Sequence, residues 1–459
     1  MPLCDLDAGI DSHDLAEAIL RFSSDRILVH IHGGLVPPDR ATSVSARLHA
    51  LAATHGVVPV SLHWHTSFEE TFLDEIKRLR SLSVFERLHT LATDSSLRWL
   101  ASSSGGKGCP FPATDEDLAT ARREPEFGSP TWLDSMALRH AGQVDAVLET
   151  ARVAGERYLW AAWERISEDD PTGDEFYPDL ESLSECELTS EALPRGKGAI
   201  ASVLIGACAR ITSRVLRRVL RATHHGWRET LVEETLREVG AGAIGTMLWD
   251  NMKTRAQEFF TPSSSARSSG IAVLQALAKV RASRPGATID VCGHSAGCIM
   301  QCHLHTAAQN MTLATRYAFL LAPACRSTLF EQTILRSPPN HIFLVAMHDD
   351  REVRDALLPL VYERSLLYLV SGLLEREPAM PILGLARYLA PSRAVSDVAI
   401  SRVAAAFSGG CGLATLVLSP TSDQTVNSIR SLSVSHGGFH DDGVTLESVI
   451  ALSAGSGPP

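Results

Sequence analysis

Ile289-Asp290-Val291-Cys292-Gly293-His294-Ser295-Ala296-Gly297 is a β-prone run that breaks into Gly-x-Ser-x-Gly and continues as a helix-like segment. A serine at a tight strand-to-helix turn is held clear of the sheet, and glycines two residues either side let neighbouring backbone pass without a Cβ clash. The motif marks Ser295 as a nucleophile. The N–H of Ala296 then points toward the same space as the hydroxyl, where the positive end of the following helix helps to stabilise an oxyanion.

Working outward, the pattern is that of an α/β chain. A helix over residues 11–22 precedes a buried strand, 26–31, which runs into His32-Gly33-Gly34-Leu35; a helix over 38–55 and a strand over 57–62 follow. Strand, helix, strand implies a parallel unit. Beyond the elbow come a helix, 298–308, a strand, 316–321, a short helix near Leu329, a strand, 341–346, and a last strand, 413–418. This predicts a mostly parallel sheet of about six strands with helices on both faces. The chain divides into a first core part (1–65), a helical insertion that would act as a lid (66–265), and a second core part (266–459) with a smaller helical insertion at 354–406. Such interruptions fall at strand C-terminal ends, where sheets of this kind place their sites.

Within the large insertion, Ser67 and Glu70 have capping-box spacing. Residues 102–108 read as a loop without the Ser/Thr after Lys that a phosphate-binding loop needs. The acidic stretch 164–191 reads as a solvated loop. The segment 199–221 is apolar, then carries Arg210, Arg214, Arg217, Arg218 and Arg221 at helical spacing. Three readings compete for them: a solvated face, pairing with the acidic stretch, or contact with an anionic lipid surface.

A serine nucleophile needs a base, an acid to orient the base, and N–H donors for the oxyanion. After the strand 341–346, Asp349 is the first choice for the acid, with Asp350 second. In the loop after the last strand, His436 and His440 are candidate bases. Upstream, Gly33 and Gly34 offer further oxyanion donors, and His32, Trp64 and His294 are candidates to line the substrate site. Taken singly, Asp349 also reads as a helix N-cap and His436 as a loop histidine, while His30, His63 and His65 read as structural or rim residues.

The order Ser295, Asp349, His436, with His32-Gly33-Gly34 behind a strand, resembles the α/β-hydrolase superfamily. More narrowly it is similar to a group of bacterial α/β hydrolases with an HGGL loop, a W-x-[TS] turn, a long helical insertion and an S-H-G-G-F segment. Here these are His32 to Leu35, Trp64 to Thr66, residues 225–260, and Ser435 to Phe439. The resemblance implies the hydrolase fold and the triad, names no substrate, and favours His436 over His440, since the resembling members carry Asp at the second site. Ala296 departs from the Thr expected there, but only its backbone is needed.

The expected chemistry is therefore cleavage of a carboxylic ester through an acyl-enzyme, with lipase, phospholipase and thioesterase activity on hydrophobic acyl groups as alternatives. A hydrolase fold reused for ligand binding or signalling is the alternative outside enzymes. No metal or organic cofactor is required. Cys292, Cys298, Cys302, His303 and His305 crowd the elbow, but Cys298 and Cys302 lie one helical turn apart and read as small apolar fillers. The 459 residues carry a net charge of -11, with 45% hydrophobic and 21% charged residues, which argues against a nucleic-acid partner. The partner expected is a small-molecule or lipid-like ester, with membrane contact the less favoured reading. Nine cysteines without paired spacing and an N-terminus without a basic, apolar leader predict a cytoplasmic protein with reduced thiols.

Overall fold

The computed structural model describes residues 3–34, 38–64, 69–104, 113–123, 127–167, 197–262, 268–389, 397–408, 412–422 and 429–455. Leu35, His65, Thr66, Ser67, residues 105–108 of the glycine-containing loop and residues 168–191 of the acidic stretch lie outside them.

Seven strands form one sheet: β1 (Leu3–Asp5), β2 (Arg26–Ile31), β3 (Val58–His63), β4 (Thr288–His294), β5 (Tyr317–Leu321), β6 (His341–Met347) and β7 (Ala414–Ser419). Their order is β1-β3-β2-β4-β5-β6-β7, and every pair is parallel. Six strands are those legible from hydropathy. The seventh, β1, is a three-residue edge strand beside β3, too short to carry a periodic signal.

The helices of seven or more residues are α1 (Ser12–Leu20), α2 (Pro38–Thr54), α3 (Glu69–Arg80), α4 (Ser83–Ser104), α5 (Asp115–Ala121), α6 (Pro130–Arg139), α7 (Val144–Ser167), α8 (Lys197–Leu220), α9 (Trp227–Glu238), α10 (Ala241–Glu258), α11 (Ser269–Ser283), α12 (Gly297–Asn310), α13 (Val398–Phe407) and α14 (Gly443–Ala454). The two faces of the sheet follow the period of two along its strands. Ile289, Val291, Ala318, Leu320, Ile342 and Leu344 point into a core shared with α11, α12 and the interposed helices. Cys292, Phe319, Leu321, Phe343 and Val345 point the other way, against Leu48 and Ala52 of α2 and Leu446, Val449 and Ile450 of α14. Burial on both faces is why these strands read as unbroken apolar runs.

From β2 the chain first steps outward to β3, passes through α3 to α11, and returns on the other side of β2 as β4. The order in which strands are added therefore reverses between β2 and β4, with all strands still parallel. A crevice opens at such a switch point beyond the strand C-termini, and the chain places His32, Gly33, Gly34 and Ser295 there.

The described residues between 69 and 258 are helical wherever they form regular structure. Among its described residues the smaller interruption is less helical than its sequence pattern predicts: over 354–389 it holds one short helix (Leu366–Leu369), a π turn (Val370–Leu374) and a 3-10 turn (Ala386–Tyr388), before α13. Among the described residues no helix is long and apolar enough to cross a membrane.

The arginines of α8 settle into ion pairs with α9. Glu238 takes Arg210 and Arg214, each at 2.6 Å, and Arg218 pairs with Glu233 at 2.6 Å and Glu234 at 3.0 Å. Glu233, Glu234 and Glu238 are fully buried. The pairing acids are thus supplied by the next helix; Arg217 stays exposed, and Arg221 makes only a loose 3.9 Å approach to Asp145.

Candidate active site

Ser295 sits between β4 and α12 with φ of 53°, left-handed backbone that costs a non-glycine residue about 1 kcal/mol or more. Three hydrogen bonds hold it there: its N–H donates to Leu321 O at 2.9 Å, and its carbonyl accepts from Cys298 N at 3.1 Å and Ala324 N at 3.0 Å. Gly297 is sterically required and Gly293 is closely packed. A Cβ on Gly297 would lie 2.5 Å from Ile31 O and 2.6 Å from His32 O, and one on Gly293 would lie 2.5 Å from Gln301 Oε1. The elbow is therefore pressed against the end of β2.

His436 opens a 3-10 turn, His436–Gly438, on the loop between β7 and α14. Its Nε2 lies 2.9 Å from Ser295 Oγ. Both side chains are buried. Burial, with His440 nearby, pushes the His436 imidazole down to about 3. It is therefore neutral at neutral pH and free to accept a proton from Ser295.

Asp349 lies elsewhere. β6 ends at Met347, and residues 349–352 turn at once into a helical turn, which directs the Asp349 carboxylate to Tyr368, whose hydroxyl donates to it at 2.9 Å. It makes no hydrogen bond to His436. Asp350 is exposed and approaches Arg354 at 4.0 Å. The carboxylate that meets His436 is Asp355, one further turn along the chain: its Oδ2 accepts the His436 backbone N–H at 2.7 Å. The Nδ1 of His436 is buried without a partner. Asp355 is raised above the ordinary carboxylate range by burial, against the lowering effect of that N–H. Sequence reasoning missed it because Asp349, Asp350, Glu352 and Asp355 are equivalent in composition, and only the helical turn decides which faces the histidine.

The oxyanion candidates converge on the elbow. A Cβ built on Gly34 would come within 3.0 Å of Ala296 Cβ, 2.7 Å of Met252 Sδ and 3.1 Å of Trp64. Only a glycine lets this backbone lie so close to the turn. Ala296 is buried, and no acceptor among the described residues takes its N–H. Gly33 follows β2 beside Gly34, its carbonyl receiving His32 Nδ1 at 2.7 Å. An uncommitted N–H beside a nucleophile is what a developing oxyanion requires.

The three residues read as substrate-lining are tied into the protein. His32 bonds Gly33 O through Nδ1 and accepts from Trp64 N through Nε2 at 3.2 Å, while Trp64 Nε1 donates to His32 O at 3.2 Å. These bonds lock the loop after β2 to the end of β3. His294 Nε2 lies 3.3 Å from His436 O, and its ring packs on those of His436 and His440. Burial drives its own ionisation well below the usual value, so it braces the His436 loop as a neutral ring. Met252 of α10, which touches the Gly34 position, carried no signal in the sequence, because its contact is made by packing across some 200 residues of chain.

The elbow thiols behave as apolar fillers. Cys292, Cys298, Cys302 and Cys325 are fully buried, and burial pushes the Cys292 thiol up to about 12.

No family model matches the chain, and neither the curated proteins nor the solved structures compared with it give a match.

Proposed function

We propose that the protein is a serine hydrolase of the α/β-hydrolase fold that cleaves a carboxylic ester through an acyl-enzyme. The observation that carries this reading is the 2.9 Å approach of His436 Nε2 to Ser295 Oγ at a turn held in left-handed backbone. Ser295 Oγ adds to the ester carbonyl as His436 takes its proton. The tetrahedral oxyanion is met by the N–H groups of Ala296 and of the Gly33-Gly34 loop, each such donor being worth about 3 kcal/mol in comparable sites. Collapse breaks the ester C–O bond, and His436 returns the proton to the departing alcohol. Water, deprotonated by His436, then releases the acid and restores Ser295.

Asp355 is the orienting acid of this scheme. It already anchors the His436 backbone at 2.7 Å, and in the proposed scheme its carboxylate turns to the unpartnered Nδ1 when substrate binds; such bonds commonly tighten only with substrate bound. The helices α3 to α10, with Met252 against the Gly34 loop, form the lid over the switch-point crevice.

One observation favours a second reading, a ligand-binding protein on the same fold: Ser295 and His436 are each only 4% exposed. A fluorophosphonate probe followed by intact mass, together with a panel of nitrophenyl esters, decides between them. Labelling at Ser295 and turnover lost in Ser295→Ala support the hydrolase. Folded protein that neither labels nor turns over any ester overturns it.

A further inference from the structure

Among the described residues, Arg387 is the buried arginine without a carboxylate in ion-pair range. It is 7% exposed, and its Nε is enclosed without a partner. Its one hydrogen bond is a long 3.5 Å contact from Nη1 to Tyr368 Oη, whose own proton goes to Asp349. The guanidinium also lies over the rings of Tyr368 and Tyr388, at 5.7 Å and 5.6 Å. Other enclosed arginines are treated differently. Arg218 has Glu233 and Glu234, Arg364 has Glu229 at 2.9 Å, and Arg237 donates to three backbone carbonyls. A buried cation without a paired anion is costly by several kcal/mol, and ring faces recover only part of it. Asp349 attracts Arg387 from beyond ion-pair range, across the Tyr368 hydroxyl.

Its position gives the unpaired guanidinium a meaning. Leu383 N and Gly384 N, just before the Ala386–Tyr388 turn, donate to Cys325 O and Pro323 O, both at 2.9 Å, and Ala324 between these donates to the Ser295 carbonyl. Tyr368 ties the guanidinium to Asp349, two residues beyond β6. Arg387 is therefore held beyond the C-terminal ends of β5 and β6, the same edge of the sheet at which β4 ends in the Ser295 turn. A planar guanidinium fork with free N–H groups suits a bidentate oxyanion.

We propose that Arg387, supported by Tyr368, binds an oxyanion carried by the acyl part of the substrate, a carboxylate or a phosphate, so that the preferred ester is anionic. This rests on the hydrolase reading above. The ester expected is the half-ester of a short dicarboxylic acid or its phosphonate counterpart.

The test compares the p-nitrophenyl hemi-ester of glutaric acid with its methyl-capped neutral counterpart and with the equivalent phosphonate-bearing ester. The wild-type protein should prefer at least one charged ester over the neutral one by tenfold or more in kcat/KM, mainly through KM. Arg387→Met should bring that ratio near one, and Arg387→Lys should keep part of it; the lysine variant carries the test should the methionine variant fail to fold. Which charged ester wins tells carboxylate from phosphate. A wild-type ratio near one, or a ratio untouched by both variants, overturns the inference. Calorimetric binding of glutaric acid monoamide to Ser295→Ala, weakened at least tenfold by a second change at Arg387, reads the site without turnover. Ser295 that labels with fluorophosphonate while the charge preference is missing sinks this inference alone; charge-selective binding without labelling sinks the hydrolase reading alone.

Discussion

The Asp355 carboxylate accepts the backbone N–H of His436 at 2.7 Å, whereas Asp349, nearer to the end of β6, is bonded to Tyr368. This division separates two acids that the chain order alone leaves equivalent. Asp355→Asn keeps an acceptor for the His436 N–H but loses the charge that stabilises the imidazolium, so kcat on neutral esters should fall about 10³–10⁴-fold. Asp349→Asn should cost less than about tenfold on the same esters. Steady-state kinetics of the two variants side by side check this, and the reverse ranking would return the acid role to Asp349.

The strands were legible because burial on both faces writes them as apolar runs, and the elbow because Gly297 is imposed by backbone at 2.5–2.6 Å from where a Cβ would stand. Ser295 and His436 could be named because each occupies a loop that a parallel sheet must bring to its C-terminal edge. What could not be read depends on contacts between distant segments. Arg210, Arg214 and Arg218 look like a solvated basic stripe until α9 supplies buried glutamates. Asp355, Met252 and Arg387 carry no local pattern at all, since a helical turn, a packing contact and a missing counter-ion give them their meaning.

The left-handed backbone at Ser295 predicts an opposition between stability and activity. Ser295→Gly removes the Cβ penalty and should raise the unfolding free energy by about 1 kcal/mol relative to Ser295→Ala, with both variants inactive. Denaturant titration of the pair measures the difference. Equal midpoints would mean that the turn stores no strain.

The ion pairs between α8 and α9 predict sharply unequal costs for two adjacent arginines. Arg218→Met removes the buried cation from Glu233 and Glu234, leaving Glu233 only His225 and the Tyr362 hydroxyl, and should destabilise by about 3–5 kcal/mol. Arg217, exposed on the same turn, should change stability by less than about 0.5 kcal/mol on replacement by Ala. Chemical denaturation of both variants checks the contrast. With Arg210, Arg214 and Arg218 held by acids, flotation with anionic liposomes at low salt should leave the protein unbound; binding that salt abolishes would restore the lipid-contact reading.

The histidines around the elbow predict the direction of acid sensitivity. Burial holds His30 and His436 to about 3 and His294 well below its ordinary value. All three are neutral in the folded protein, while in the unfolded chain they take up protons near 6.5. Below that pH the unfolded state binds more protons, so folding stability is lost as pH falls from about 6.5 toward 3, with each group contributing up to about 1.4 kcal/mol per pH unit. The apparent Tm should therefore drop steeply between pH 6 and pH 4. His30 makes the cleanest probe, because it lies in β2 with its Nδ1 enclosed and unpartnered and takes no part in the proposed chemistry. His30→Leu should flatten the acid limb of the stability curve while leaving the curve above pH 7 almost unmoved. An unchanged slope in that variant would show that His30 does not titrate on unfolding in this range.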